Sequence, residues 1–167
     1  TRFIPDRITF VSKASMESYC ISKICNKCNS VVVNDAIDTS NFDNNIDSDR
    51  NKTNDFTIGA LGRIHVVKNY NLLIEAFYLF QKKISNSTLI IAGHGDYSLF
   101  ENRIKELGIE GKVHFIGPVN DLAGYFKSID LYVSTSKTEG FCLSLAEAIL
   151  NNKPYVTTNS GGVLDIV

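Results

Sequence analysis

From Phe56 onward the chain alternates short apolar runs with helical periodicity, almost without a break. The runs are Phe56 to Leu61, Thr88 to Ala92, Val113 to Ile116, Leu131 to Val133 and Tyr155 to Thr157. Consecutive apolar positions such as Leu89-Ile90-Ile91-Ala92 fit strands covered on both faces. Between the runs, Leu73, Phe77, Phe80 and Ile84 step by four, three and four residues. Tyr97, Phe100, Ile104 and Leu107 step by three, four and three, and Gly108 supplies the stop after them. Leu122, Phe126 and Ile129 mark a shorter helix opened by Asn120 or Asp121. Strand and helix alternating over short connections predict an α/β fold, a doubly wound parallel sheet covered by helices.

The first 54 residues read differently. Arg7 to Ser12 and Ser30 to Val33 read as strands flanking a helix from about Ala14 to Lys27. Asn41 to Asp55 is crowded with Asn and Asp and nearly free of large apolar residues, so it reads as a solvated connector. Composition narrows the classes. With 167 residues, 44% of them hydrophobic, the chain can bury a core without staples. Seventeen Lys and Arg against 18 Asp and Glu argue against a nucleic-acid partner held by bulk charge. No apolar run is long enough for a membrane span, and no signal-peptide pattern opens the chain. Four cysteines without a framework suit a reducing compartment. The chain starts at Thr1, and Val167 falls inside what reads as a starting helix, so a piece of a longer protein is expected.

In an open parallel sheet, ligands sit at the carboxyl ends of strands. Five loops qualify: Gly62 to Lys68, Gly93 to Asp96, Gly117 to Asn120, Ser134 to Phe141 and Thr158 to Gly162. They hold most of the 11 glycines, which allow close backbone approach to a ligand. Arg63 and Lys68, five positions apart, can converge on one anion, although a solvated loop is an equal reading of that spacing. Glu139 and Glu147 can each accept hydrogen bonds from a vicinal diol. A helix starting near Phe141, with Glu147 about two turns inside it, would direct free N–H groups towards an anion. Taken alone, an exposed Glu147 and a dipole-favouring Glu139 are the simpler reading.

As an ordered set, these loops resemble the donor-binding half of a retaining glycosyltransferase of family four, the group 1 type with a GT-B fold. The residues that carry the resemblance are Gly62-Arg63, Lys68, Glu139 with Glu147, and Ser160-Gly161-Gly162. The connecting segments "IIAGHGD" and "VHFIGPVNDLAGYF" also match in order and spacing. The likeness is close from Phe56 to Val167 and looser from Arg7 to Asp38. The usual hinge, Asn-Gly-(Ile/Val)-Asp, is here Asn34-Asp35-Ala36-Ile37-Asp38, and the position that often carries Glu after the Gly-Gly turn is Asp165.

The resemblance implies three parts. Residues 1–38 would end an acceptor domain and form the hinge, 39–54 would be the polar connector, and 55–167 the donor domain. Arg63 and Lys68 would hold the diphosphate, Glu139 would contact the transferred sugar, and Glu147 would grip the ribose. Gly117 to Val119 would meet the base through their backbone. Gly62, Gly93, His94, Gly140, Phe141, Cys142 and Leu143 would complete the donor site. Arg63, Lys68 and Glu139 would be the catalytic set. No cofactor or metal is implied; the substrate is a nucleotide sugar and the acceptor a glycan or lipid-linked glycan. A cytoplasmic enzyme is implied, meeting the inner membrane face through its first domain, and the donor half alone is expected to be inactive. Abundant Asn, Ile, Lys and Ser suggests an AT-rich bacterial gene, as in surface-polysaccharide loci.

Other readings are weaker. Asp47-Ser48-Asp49 has the letters of a metal-binding Asp-x-Asp, but no strand precedes it. Gly93-His94-Gly95 starts a nicotinamide-binding fingerprint, yet Ser98 stands where its third Gly belongs. A non-catalytic nucleotide-binding module would keep Arg63 and Lys68 but gain nothing from Glu139. Cys20, Cys25 and Cys28 lack a fourth nearby ligand for zinc. His65 is as apt to face solvent as phosphate, and His114, on a strand, is expected to be structural.

Overall fold

The computed structural model describes residues 6–22, 29–37, 39 and 55–167. Asp38, residues 40–54 of the connector, Cys25, Cys28 and the Asp47-Ser48-Asp49 run lie outside the described residues. The chain opens with a parallel β-α-β unit: β1 (Ile8–Phe10), α1 (Lys13–Ile21) and β2 (Ser30–Val32). Ser12 caps α1, its hydroxyl accepting the Ser15 N–H at 3.1 Å.

The second unit is a five-stranded parallel sheet in the order β5-β4-β3-β6-β7. Its elements are β3 (Phe56–Leu61), α2 (Tyr70–Gln81), β4 (Ser87–Ala92), α3 (Ser98–Leu107), β5 (Val113–Gly117), α4 (Leu122–Ser128), β6 (Leu131–Ser134), α5 (Leu143–Leu150) and β7 (Tyr155–Thr157). The expected α/β class and doubly wound sheet hold. All five apolar runs are strands, and Ile58 of β3 sits in register with Leu89 on one side and Leu131 on the other.

Alternation along the central strands divides the core in two. Ile58, Ala60, Leu89 and Ile91 face α2 and α3, joining Leu73, Ile74, Phe77, Phe100 and Ile104. The intervening positions face α4 and α5, where Phe126, Ile129, Tyr132, Leu145 and Ala148 are buried. Gly59 lies under α4, and a Cβ there would meet Ile129 at 2.5 Å. The edge strands are only half covered: His114 and Ile116 of β5, and Tyr155 and Val156 of β7, are exposed. His114 lies on β5 as expected, with its side chain on the exposed side of that edge strand.

Two spacings need correction. The buried stripe of α2 is Tyr70, Leu73, Ile74 and Phe77, while Ile84 lies beyond the helix end and is exposed. A four-three-four stepping drifts off the buried face when a helix stops at Gln81. The helix expected near Phe141 begins at Leu143, so Glu147 stands just over one turn inside α5. No helix among the described residues is long and apolar enough to cross a membrane.

Candidate functional site

The chain order reverses between β3 and β6. The loop after β3 leads to α2 on one face, and the loop after β6 leads to α5 on the other. A crevice opens between such diverging loops. Here it is a cleft of about 510 Å³ lined by Gly62, Arg63 and Lys68 from the first loop and by Glu139, Gly140, Phe141, Cys142, Leu143 and Glu147 from the second.

Main-chain contacts hold the first loop. The Gly62 N–H donates to the Ala92 carbonyl at 2.9 Å, and the Ile64 N–H to the His94 carbonyl at 2.6 Å. The Tyr70 hydroxyl donates to the Gly62 carbonyl at 2.8 Å. Burial, with Glu139 nearby, pushes this phenol well above its usual range, so it stays a neutral donor. His65 Nδ1 accepts the Val67 N–H at 3.3 Å, opening a 3-10 turn at Val66–Lys68. Thr135 Oγ1, just past the end of β6, then donates to the carbonyls of Lys68 (3.0 Å) and Asn69 (3.1 Å).

The second loop leans on the Gly-Gly turn. The Glu139 N–H donates to the Ser160 carbonyl at 2.7 Å, and the Gly162 N–H to the Glu139 carbonyl at 3.0 Å. A Cβ on Gly162 would lie 1.9 Å from the Gly140 carbonyl oxygen, so only glycine lets these backbones pass. Cys142, at φ 80°, is the residue before the first turn of α5. Its thiol is buried, and burial raises its pKa, keeping it a poor nucleophile. A left-handed non-glycine residue costs about 1–2 kcal/mol, while the buried side chain contributes roughly 1 kcal/mol. The two nearly cancel. Denaturant unfolding should therefore place Cys142→Gly within about 1 kcal/mol of the wild type, whereas a β-branched Cys142→Val, unsuited to positive φ, should lose clearly more.

The charged groups are not equivalent. Arg63 is exposed, and its guanidinium has no hydrogen-bond or ion-pair partner among the described residues. Lys68 Nζ instead pairs with Glu139 Oε1 at 2.6 Å. Both expected cations line the cleft, but one enters it already neutralised. Ser136 Oγ donates to the same Glu139 oxygen at 2.6 Å. Glu147 is half-buried, has no side-chain hydrogen bond among the described residues, and is pushed upward in pKa by desolvation alone. It is an acceptor without donors, facing the cleft. The N–H groups of Leu143 and Ser144 precede the first intrahelical bond of α5, from the Leu145 N–H to the Cys142 carbonyl at 3.0 Å.

Four expected residues do not line the cleft. Gly93 and His94 lie behind the first loop; the Gly93 N–H donates to the Gly117 carbonyl at 2.7 Å, and the His94 side chain is exposed. Gly117 ends β5, and Val119 packs beside the α4–α5 core. Conversely, Val11 and Asp35 line the cleft from the first β-α-β unit. Asp165 joins that unit to the second, its Oδ2 accepting the Lys13 N–H at 2.7 Å and the Asn34 side-chain amide at 3.4 Å. No local spacing could have signalled Val11 or Asp35, because a contact across more than 100 residues brings them there. No cluster of three or more His, Cys, Asp or Glu among the described residues is placed to hold a metal.

A sheet with its switch point between β3 and β6, and a cleft there lined by a Gly-Arg-x4-Lys loop and a Glu-x7-Glu segment leading into α5, defines a Rossmann-like domain. The family model for glycosyl transferases group 1 matches residues 41–167, and the chain belongs to that family. Protein CapJ of Staphylococcus aureus is 33% identical over 118 residues, which span 68% of this chain and 30% of CapJ. The structure of WaaG, a glycosyltransferase involved in lipopolysaccharide biosynthesis, superposes with a TM-score of 0.85 at 19% identity, covering 96% of this chain and 46% of that one. Anabaena Alr3699/HepE, solved with UDP-glucose, gives 0.83 at 22% identity, with 98% and 48% covered. The fold is thus that of the GT-B glycosyltransferases. The chain spans under a third of CapJ's length and just under half of each of these solved chains.

Proposed function

We propose that this chain supplies the donor-binding half of a retaining, metal-independent glycosyltransferase. The enzyme would move a sugar from a nucleoside-diphosphate sugar to a glycan or lipid-linked glycan. Residues 55–167 would be the donor domain, and 1–38 the end of the acceptor domain with its hinge. The observation that carries the reading is the cleft itself: a guanidinium and a desolvated carboxylate, each without a partner among the described residues, face one space with a Lys–Glu pair.

Breaking a sugar–phosphate bond builds negative charge on the departing diphosphate and positive charge at the sugar carbon. Arg63 can present two parallel donors to phosphate oxygens, and Lys68 a point charge. The leading N–H groups of α5 add donors fixed in advance, which act on the charge as it develops. Glu139 beside the sugar orients its hydroxyls and eases the positive charge. Glu147 receives the two ribose hydroxyls, which fill its empty acceptor sites. Gly93 backs the first loop from outside the cleft and holds Gly62 in place, while Gly117 anchors Gly93 through its carbonyl.

The Anabaena neighbour was solved with UDP-glucose, so UDP and UDP-glucose are the first probes, followed by the GDP, ADP, CDP and dTDP counterparts. Calorimetric titration of the chain should find one diphosphate series that binds. Addition of EDTA should leave its affinity unchanged, because the side chains named here neutralise the phosphates. Silence across the panel would sink the donor reading, and collapse of affinity in EDTA would sink its metal-free form.

A further inference from the structure

Glu139 is the meeting point of two short bonds. Lys68 Nζ and Ser136 Oγ each lie 2.6 Å from its Oε1. The pair is sheltered, with side chains 21% and 12% exposed for Lys68 and Glu139, and Ser136 is buried beneath. In such a place neither charge can lose its partner without a replacement, since a sheltered charge left alone is costly. Each charge has a natural replacement in a different part of one ligand: a diphosphate for Lys68, and sugar hydroxyls for Glu139.

We propose that Lys68 exchanges Glu139 for the donor's diphosphate, so that the cleft favours a diphosphate carrying a sugar over a free one. The inference rests on the nucleotide-sugar reading above and adds selectivity between substrate and product. A free nucleoside diphosphate takes Lys68 and leaves Glu139 with the single Ser136 hydroxyl as donor. A nucleotide sugar takes Lys68 and supplies hydroxyls to Glu139 in the same event. Once the sugar has been transferred, Glu139 again competes for Lys68, and that competition helps expel the diphosphate. Ser136 holds the carboxylate in place while its partner changes. A Glu139 that met only sugar would be silent towards the free nucleotide; the ion pair removes that neutrality.

The test is a double-substitution cycle on the whole chain, read by calorimetry with UDP and UDP-glucose, or with whichever pair of the panel binds. Glu139→Gln keeps the shape and removes the charge. It should tighten free diphosphate binding by about three- to thirtyfold, inside the span expected for coupled neighbours, with no gain for the nucleotide sugar. In a Lys68→Met background the same substitution should gain nothing. A gain that persists without Lys68 would mean simple repulsion between Glu139 and the anion, and would overturn the exchange. So would unchanged or weaker diphosphate binding by Glu139→Gln. Thermal unfolding checks each variant, and Glu139→Ala repeats the cycle if Glu139→Gln does not fold. Wild type and variants all failing to bind any panel member would overturn the nucleotide-sugar reading and the exchange with it; binding with a neutral Glu139→Gln would overturn the exchange alone.

Discussion

Gly93→Ala should destabilise the protein by about 2–6 kcal/mol, combining overpacking with backbone strain of about 1–3 kcal/mol each. Its Cβ would stand 1.9 Å from the Gly62 carbonyl oxygen, and its φ of 149° is one that side chains rarely adopt. The obstacle is main chain, which cannot rotate away. Relief would require pushing Gly62 and Arg63 out of the cleft, so nucleotide binding should vanish together with stability. Gly108→Ala is the matched control, because φ is 67° there but nothing lies within 4 Å of the added carbon. It should cost only about 1–2 kcal/mol and leave binding intact. Denaturant unfolding and titration of both variants decide the matter. Equal costs would show that the contact between the two loops is not the constraint described here.

Arg63→Ala should act in the opposite way, sparing the fold and weakening the ligand. The side chain is exposed and touches no acceptor among the described residues, so stability should stay within about 0.5 kcal/mol, as for most surface substitutions. Loss of charge-assisted hydrogen bonds to phosphate should cost about 1.5–3 kcal/mol of binding, or roughly 10- to 150-fold in Kd. Arg63→Lys should recover part of that loss, since a point charge replaces the planar fork. Nucleoside diphosphate titrations measure all three. An Arg63→Ala variant that binds as tightly as the wild type would remove this residue from the phosphate site.

The strands were legible because they are buried on both faces, and Leu89-Ile90-Ile91-Ala92 is apolar at every position for that reason. The loops were legible because glycine is demanded there by backbone contact, at Gly93 against Gly62 and at Gly162 against Gly140. Legibility failed where the cause was not local. The start of α5 at Leu143 depends on a left-handed Cys142, a conformation that residue type does not announce. The pairing of Lys68 with Glu139 spans 71 residues, and the loop spacings alone placed both cations as if free. The wall formed by Val11 and Asp35 depends on Asp165 reaching back to Lys13 and Asn34.

The two glycine crossings have a bearing on how this cleft could diverge. Its floor is main chain laid directly on main chain, so its position does not depend on which side chains surround it. Leu143 and Asp35, exposed residues that line the cleft, can be exchanged without moving that floor. New ligand preferences could therefore accumulate at the rim in single steps, each tolerated by the fold. The four glycines beneath would stay unchanged, as the invariant ground on which such variation is written.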